Sequence, residues 1–237
     1  MPAVRIVLAA TRNPLNIGAA ARAMANFGLG DLVLVAPYSE AWRRARSARA
    51  GAAVLANARV VATLAEAVAD CEYVVGTAGL AGRQPEISVA DWTELAGRLP
   101  PGPCALVFGN EKTGLSVAEI SCCHVLARIA TAPSAPSMNL GQAVAVCAYE
   151  LHRNSPAGQP PDTGPPIANC GQRELLVRQW MPLLEHIGVF RAEHRSGQTR
   201  RLRRMLLAWR LNPADIRLCL GVARELRRVL GLPRDAS

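Results

Sequence analysis

Lysine is almost missing from this chain: Lys112 stands alone against 26 arginines, a ratio that codon composition alone can produce and that carries no reading of phosphate specificity. Aromatic residues are scarce at 4%, so a core has to rest on Val, Leu, Ile and Ala, which the 50% hydrophobic content supplies. No apolar stretch approaches the length of a membrane span, and the N-terminal run IVLAA is too short for a signal peptide, so a soluble, cytoplasmic protein is expected. The seven cysteines (71, 104, 122, 123, 147, 170 and 219) are odd in number, form no CxxC and show no zinc spacing. Reduced thiols, buried where Cys104 and Cys147 sit inside apolar runs, are expected. His124, His152, His186 and His194 show no ligand spacing, and no metal is expected. The familiar nucleotide and hydrolase fingerprints are absent too. There is no GxGxxG after the first strand and no GxxxxGK[ST], which removes the usual dinucleotide fold and the P-loop NTPases. No GxSxG, HExxH or zinc-deaminase pattern occurs either.

What is present is an uneven charge. The net charge is +9, yet residues 1–152 hold 12 basic against 11 acidic residues, whereas residues 171–237 hold 14 against 6. A basic tail of this kind points to a polyanion such as nucleic acid, or else to a solvated basic helix face. Short, continuous runs of Val, Ile and Leu recur at Val4–Ala10, Leu32–Ala36, Tyr73–Thr77, Cys104–Phe108 and Val125–Ala130. Continuous rather than alternating apolarity suits strands covered on both faces of a parallel sheet. Ala-rich stretches of helical length lie between them, at 16–28, 41–57, 64–70 and 139–152. The alternation predicts an α/β domain over residues 1–152. Five prolines between Arg153 and Ile167 predict a linker over 153–170, since neither helix nor central strand survives that density. Beyond it, 171–237 reads as two or three helices, one of them opened by Asn212 as cap and Pro213 in the first turn. On that last helix, Ile216, Leu220, Ala223 and Val229 are placed near one face and Arg217, Arg224, Arg227 and Arg228 on the other.

Three stretches could carry chemistry. In RNPLNIGAAARAMANFG (12–28), a wheel at 100° per residue gathers Ile17, Ala20, Ala21, Met24, Phe27 and Gly28 into one stripe. Arg22 lies almost opposite, among residues too small to shield it, and the helix start near Asn16–Gly18 offers N–H groups to an anion. In ALVFGNEKTGL (105–115), a strand ends at Gly109, where a ligand could come close to the backbone, and Glu111 follows. In IATAPSAPSMNLGQAVAVCAYEL (129–151), a strand leads through a Pro/Ser loop into a helix, with Ser137 or Asn139 as cap. VVGTAGLAGR (74–83) is a fourth strand end rich in small residues.

Taken together and in this order, NxGAxARAM, FGxExxGL and SxNLxxAVxxxxYE resemble the three motifs of the SPOUT class of RNA methyltransferases, in its 2′-O-ribose branch. The first thirty-odd residues and the arginine-rich helical tail are similar to the bacterial TrmJ-type tRNA methyltransferases within that branch. The resemblance implies an α/β SPOUT fold with a mostly parallel sheet, a deep trefoil knot and a small helical extension at the C-terminus. It implies S-adenosyl-L-methionine held mainly by backbone groups of Thr77, Ala78, Gly79, Gly109, Ile129, Ser137, Met138 and Leu140. It implies a homodimer, and Arg22 as principal catalytic residue alongside Asn16, Glu111, Ser137 and Asn139. The expected reaction is methyl transfer to the 2′-hydroxyl of the cytidine or uridine that opens a tRNA anticodon loop. The alternatives are the same reaction on ribosomal RNA, or an RNA-binding module without catalysis. The tail would then supply phosphate contacts, with Arg200, Arg201, Arg203, Arg204, Arg224, Arg227 and Arg228 as candidates.

Overall fold

The computed structural model describes residues 3–38, 42, 50–78, 87–154 and 167–232. In chain order the first elements are β1 (Val4–Ala9), α1 (Pro14–Asn26), β2 (Leu32–Val35), α2 (Ala52–Ala56), β3 (Arg59–Val61), α3 (Leu64–Ala67) and β4 (Tyr73–Thr77). They are followed by β5 (Val89–Asp91), α4 (Trp92–Leu95), β6 (Cys104–Phe108), α5 (Val117–Ile120), β7 (Val125–Arg128) and α6 (Leu140–Arg153). Three longer helices close the chain: α7 (Cys170–His186), α8 (Arg195–Ala208) and α9 (Pro213–Val229).

The strands form one seven-stranded sheet in the order β3-β2-β1-β6-β4-β7-β5, and every pairing is parallel. Each continuous apolar run became a strand, because helices cover both faces and leave no reason for polar alternation. Two strands have no such run in the sequence. β3 and β5 are three-residue edges, half-exposed or exposed along their length, where little burial is available to demand Val and Ile. The helix predicted over 41–57 is found as α2 alone, with Trp42 in a helical turn; residues 39–41 and 43–49 lie outside the described residues.

The sheet is held at the N-terminal half of β1 by a buried charge. Arg5 donates to Asp31 at 2.7 Å, to the Ala67 carbonyl at 2.9 Å and to both carboxylate oxygens of Asp70. Its hydrogen bonds to the Asp70 carboxylate hold the guanidinium well above the ordinary arginine range. Burial, the largest cause in each case, lifts the neighbouring Cys71 thiol to about 11 and Cys104 to about 12, so both stay protonated.

Contacts divide the chain into two compact units, Met1–Asp162 and Thr163–Ser237. Most of the predicted linker falls on 155–166, outside the described residues; α6 runs on to Arg153, and α7 begins at Cys170 with Asn169 as its cap. In the second unit α7 packs against both α8 and α9 around Leu176, Val177, Met181, Leu202, Leu206 and Ile216. Asn212 caps α9 as predicted, accepting from Ala214 N at 2.7 Å and Asp215 N at 3.0 Å. The predicted faces of α9 need correcting. Arg227 is buried, at 8% exposure, while Val229 is 68% exposed. Arg227 follows Ile216 by three full turns and shares its face, whereas Val229 falls on the opposite side.

Candidate active site

The loops after β1, β4, β6 and β7 all leave the same edge of the sheet, the C-terminal ends of parallel strands, where ligands of open α/β sheets bind. The three motif segments meet there through Asn16. Its amide nitrogen donates to Glu111 Oε1 at 2.8 Å, and its Oδ1 accepts from Asn139 Nδ2 at 3.0 Å. Asn139 turns its own oxygen to the backbone of α6, accepting from Gly141 N at 2.9 Å. Asn139 rather than Ser137 is therefore the cap, and both of its amide ends are committed. Ser137 and Met138 are exposed in the loop just ahead of it.

Glu111 also accepts from the backbone N–H groups of Arg12 at 3.2 Å and Asn13 at 3.4 Å. Partial burial pushes its carboxyl up, but the bonds from Asn16 and from the backbone of Glu111 itself, Arg12 and Asn13 outweigh this and hold it below the ordinary glutamate value. Helix α1 starts two residues earlier than the sequence suggested, because Asn13 caps it by accepting from Leu15 N at 2.9 Å. The chain's own Glu111 thus supplies a carboxylate at that end of the helix.

Arg22 is exposed on α1 between buried Ala21 and Ala23, and it is not hydrogen-bonded to Asn16, Glu111 or Asn139. The small residues around it serve the fold. A Cβ on Gly51 would stand 2.6 Å from the Ala21 carbonyl carbon and 2.7 Å from Arg22 N, and one on Gly141 would stand 2.6 Å from Ala19 Cβ. Much of the small-residue surface is therefore covered by α2 and α6, and what is left open is the Arg22 side chain itself.

Of the residues named for the cofactor, Thr77, Ala78, Gly109 and Ile129 lie at the ends of three neighbouring strands, since β4 pairs with both β6 and β7, whereas Ser137 and Met138 lie in the loop before α6 and Leu140 opens that helix. The Thr77 hydroxyl donates to the Val107 carbonyl at 3.0 Å, and Leu140 is buried. Gly109 is needed by its own turn: a Cβ there would lie 2.3 Å from the backbone of Gly114 and Leu115. With these side chains engaged or missing, peptide groups are what the edge presents, which fits a cofactor held mainly by main chain. Gly79 lies outside the described residues. Among the described residues no group of three or more His, Cys, Asp or Glu could hold a metal ion, and no helix is long and apolar enough to cross a membrane.

Residues 3–149 match the family described as SpoU rRNA methylase. The chain belongs to that family. Among the relatives of this SpoU methylase is the tRNA (cytidine/uridine-2'-O-)-methyltransferase TrmJ of Salmonella typhimurium, 32% identical over 95% of this chain and 96% of the relative. The protein of the same description from Yersinia pestis is 30% identical over 95% of this chain and 91% of its own length. The crystal structure of TrmJ from Z. mobilis ZM4 superposes with a TM-score of 0.84 at 32% identity, covering 96% of this chain and 99% of that one.

The seven arginines proposed from the sequence divide sharply in this SpoU methylase. Arg203 makes a two-pronged pair with Glu174, at 2.8 and 2.7 Å, and is largely covered; Arg227 is buried. Arg228 pairs with Glu225 in the open, while Arg201 and Arg224 are exposed and Arg200 and Arg204 half-buried. The sequence reading missed Asn110, whose side chain donates to the Ala10 carbonyl at 2.7 Å and ties the β6 turn to the end of β1. An Asn directly before Glu111 in a strand-to-loop turn was the available signal. It also missed Arg12 and Tyr38, which come together at the same edge.

Proposed function

We propose that this chain is an S-adenosyl-L-methionine-dependent tRNA 2′-O-ribose methyltransferase acting on the cytidine or uridine that opens the anticodon loop. The observation that carries the reading is the chain Glu111–Asn16–Asn139, which joins the three motif segments at the sheet edge in a protein whose relatives along nearly its full length are described as tRNA (cytidine/uridine-2'-O-)-methyltransferases. The position within tRNA comes from the motif resemblance. When bound, the cofactor supplies a methyl group already activated on a sulfonium, so neither a metal nor a covalent nucleophile is required. Thr77, Ala78, Gly79, Gly109, Ile129, Ser137, Met138 and Leu140 would hold it. As part of the same reading, the segment from β7 to α6 forms the trefoil knot, and two copies of the chain build the RNA site.

The protein's work is then alignment and charge. Fixing the ribose hydroxyl in line is worth on the order of 7–11 kcal/mol in ideal cases. Arg22 binds the phosphate beside the target ribose and stabilises the alkoxide that develops as the hydroxyl loses its proton. It does so as a cation, because a guanidinium with a pKa above about 12 is no base at neutral pH. Glu111 is not the proton acceptor either: three hydrogen bonds from other residues and a lowered pKa make it a weak base and a good anchor. It fixes Asn16, and Asn16 fixes Asn139. The proton leaves to a phosphate oxygen or to water.

A second reading, the same reaction on ribosomal RNA, is favoured by the description of the matching family. Methyl transfer from labelled cofactor to total tRNA and, separately, to ribosomal RNA, followed by nucleoside mapping, tests both. Label in 2′-O-methylcytidine or 2′-O-methyluridine of tRNA is expected; label confined to ribosomal RNA overturns the substrate. Arg22→Ala should keep the fold and cofactor binding, and lose roughly a hundred- to thousandfold in rate. A fully active variant would remove Arg22 from its role.

A further inference from the structure

One exposed pair at the sheet edge has no part in the chemistry above. The guanidinium carbon of Arg12 stands 5.7 Å from the centroid of the Tyr38 ring, and Tyr38 is 77% exposed, the most exposed large apolar side chain among the described residues. In a chain with so few aromatics, leaving a tyrosine in water beside a cation is a notable use of one. The backbone under the pair is not relaxed. Ala10, after β1, has φ +51°, and Ala36, after β2, has φ +42°; both are left-handed conformations that an alanine rarely adopts. These two turns carry Thr11–Arg12 and Pro37–Tyr38 off adjacent strands, and Tyr38 N then donates to the Thr11 carbonyl at 3.2 Å. Asn110 holds the Ala10 carbonyl from the other side. Arg12 is joined directly to the motif residues, since its backbone N–H is one of the donors to Glu111.

A cation and an aromatic ring, both exposed, locked side by side next to a site for RNA ribose, have the composition of a single-stranded nucleotide clamp. Unpaired bases stack on tyrosine rings and on guanidinium planes, and arginine takes the phosphate as well. We propose that Arg12 and Tyr38 form a stacking platform for an unpaired RNA base adjoining the methylated nucleotide, with the base on the open face of the Tyr38 ring and its phosphate on the Arg12 guanidinium. This inference rests on the RNA-methyltransferase reading. The platform reads no base edge, so it selects for an unpaired neighbour, not for a particular base. It thereby favours a loop over a helix as substrate.

The test uses the full chain and two anticodon stem–loop RNAs, one with 2-aminopurine on the 5′ side of the target pyrimidine and one with it on the 3′ side. Quenching of the fluorophore on binding reports stacking without any turnover. The wild type and Tyr38→Phe should quench one of the two RNAs equally. Tyr38→Ala should abolish that quenching and raise KM for the unlabelled RNA by about tenfold or more, with kcat nearly kept. Arg12→Gln should raise KM and lower its salt dependence. Equal quenching and equal KM in the wild type and in a folded Tyr38→Ala, with methyl transfer intact, would overturn the platform alone. A wild type that neither binds nor methylates these RNAs would overturn the functional reading with it. Should Tyr38→Ala not fold, Arg12→Gln with unchanged KM and salt dependence overturns the proposal by itself.

Discussion

At the scale of single residues, the site is organised by one carboxylate. Glu111 reads in the sequence as a possible acid or base just past a strand end; in the structure it spends its lone pairs on Asn16 and two backbone N–H groups. Its pKa is lowered on folding, so it adds stability above the ordinary glutamate value of 4.5 and loses that share as pH falls through the lower folded value. Glu111→Gln should remove this dependence from acid unfolding curves and cost about 1 kcal/mol, the group being largely exposed. The larger effect should be on catalysis, a loss of roughly ten- to hundredfold at neutral pH as Asn16 and Asn139 lose register. A rate unchanged by the substitution would show that the anchoring is dispensable. Asn139 was legible as one of two capping candidates, but only the fold shows that its amide nitrogen donates to Asn16. Arg22 was legible as exposed, because a helix wheel needs no tertiary information to separate it from Ile17 and Met24.

At the scale of elements, small residues set distances. α1 is approached by α6 at Ala19 and by the start of α2 at Ala21 and Arg22, and each approach depends on a missing side chain on the other partner. Gly51→Ala places a methyl 2.6–2.7 Å from α1 backbone that has no flexible end to yield. It should destabilise the protein by about 1–3 kcal/mol in denaturant melts and reduce methyl transfer by shifting the segment that carries Arg22. Gly97→Ala, whose added carbon would meet Asn154 at an ordinary 3.7 Å, should stay within about 0.5 kcal/mol of the wild type. Equal stability of the two variants would refute the packing argument. None of this was visible in the sequence, where glycine and alanine on α1 suggested open room for a ligand. Local periodicity says which way a residue faces, not what fills the space beyond it. The same limit explains β3 and β5, whose three-residue edges carry no apolar run.

At the scale of the whole molecule, the basic tail is a folded helical unit with its own core, and its arginines are not equivalent. Arg203 and Arg227 are spent inside it, whereas Arg201 and Arg224 face water. In the full chain, Arg201→Gln and Arg224→Gln should weaken tRNA binding and each reduce the slope of log affinity against log salt by about 1. Arg203→Gln should lower the melting temperature with little change in that slope. Identical slopes throughout would place the RNA contacts elsewhere. By itself the sequence determined the parallel α/β sheet, its five apolar strands, the cap at Asn212 and the three motifs, because periodicity, caps and breakers act through near neighbours in the chain. Only the tertiary structure decided that Asn16, Glu111 and Asn139 form one hydrogen-bonded chain, that Arg22 keeps its freedom while its neighbours are covered, and which tail arginines remain available. Those outcomes depend on contacts between residues from about thirty to more than a hundred positions apart, and the geometry of such contacts is set by the register of the sheet and the packing of helices.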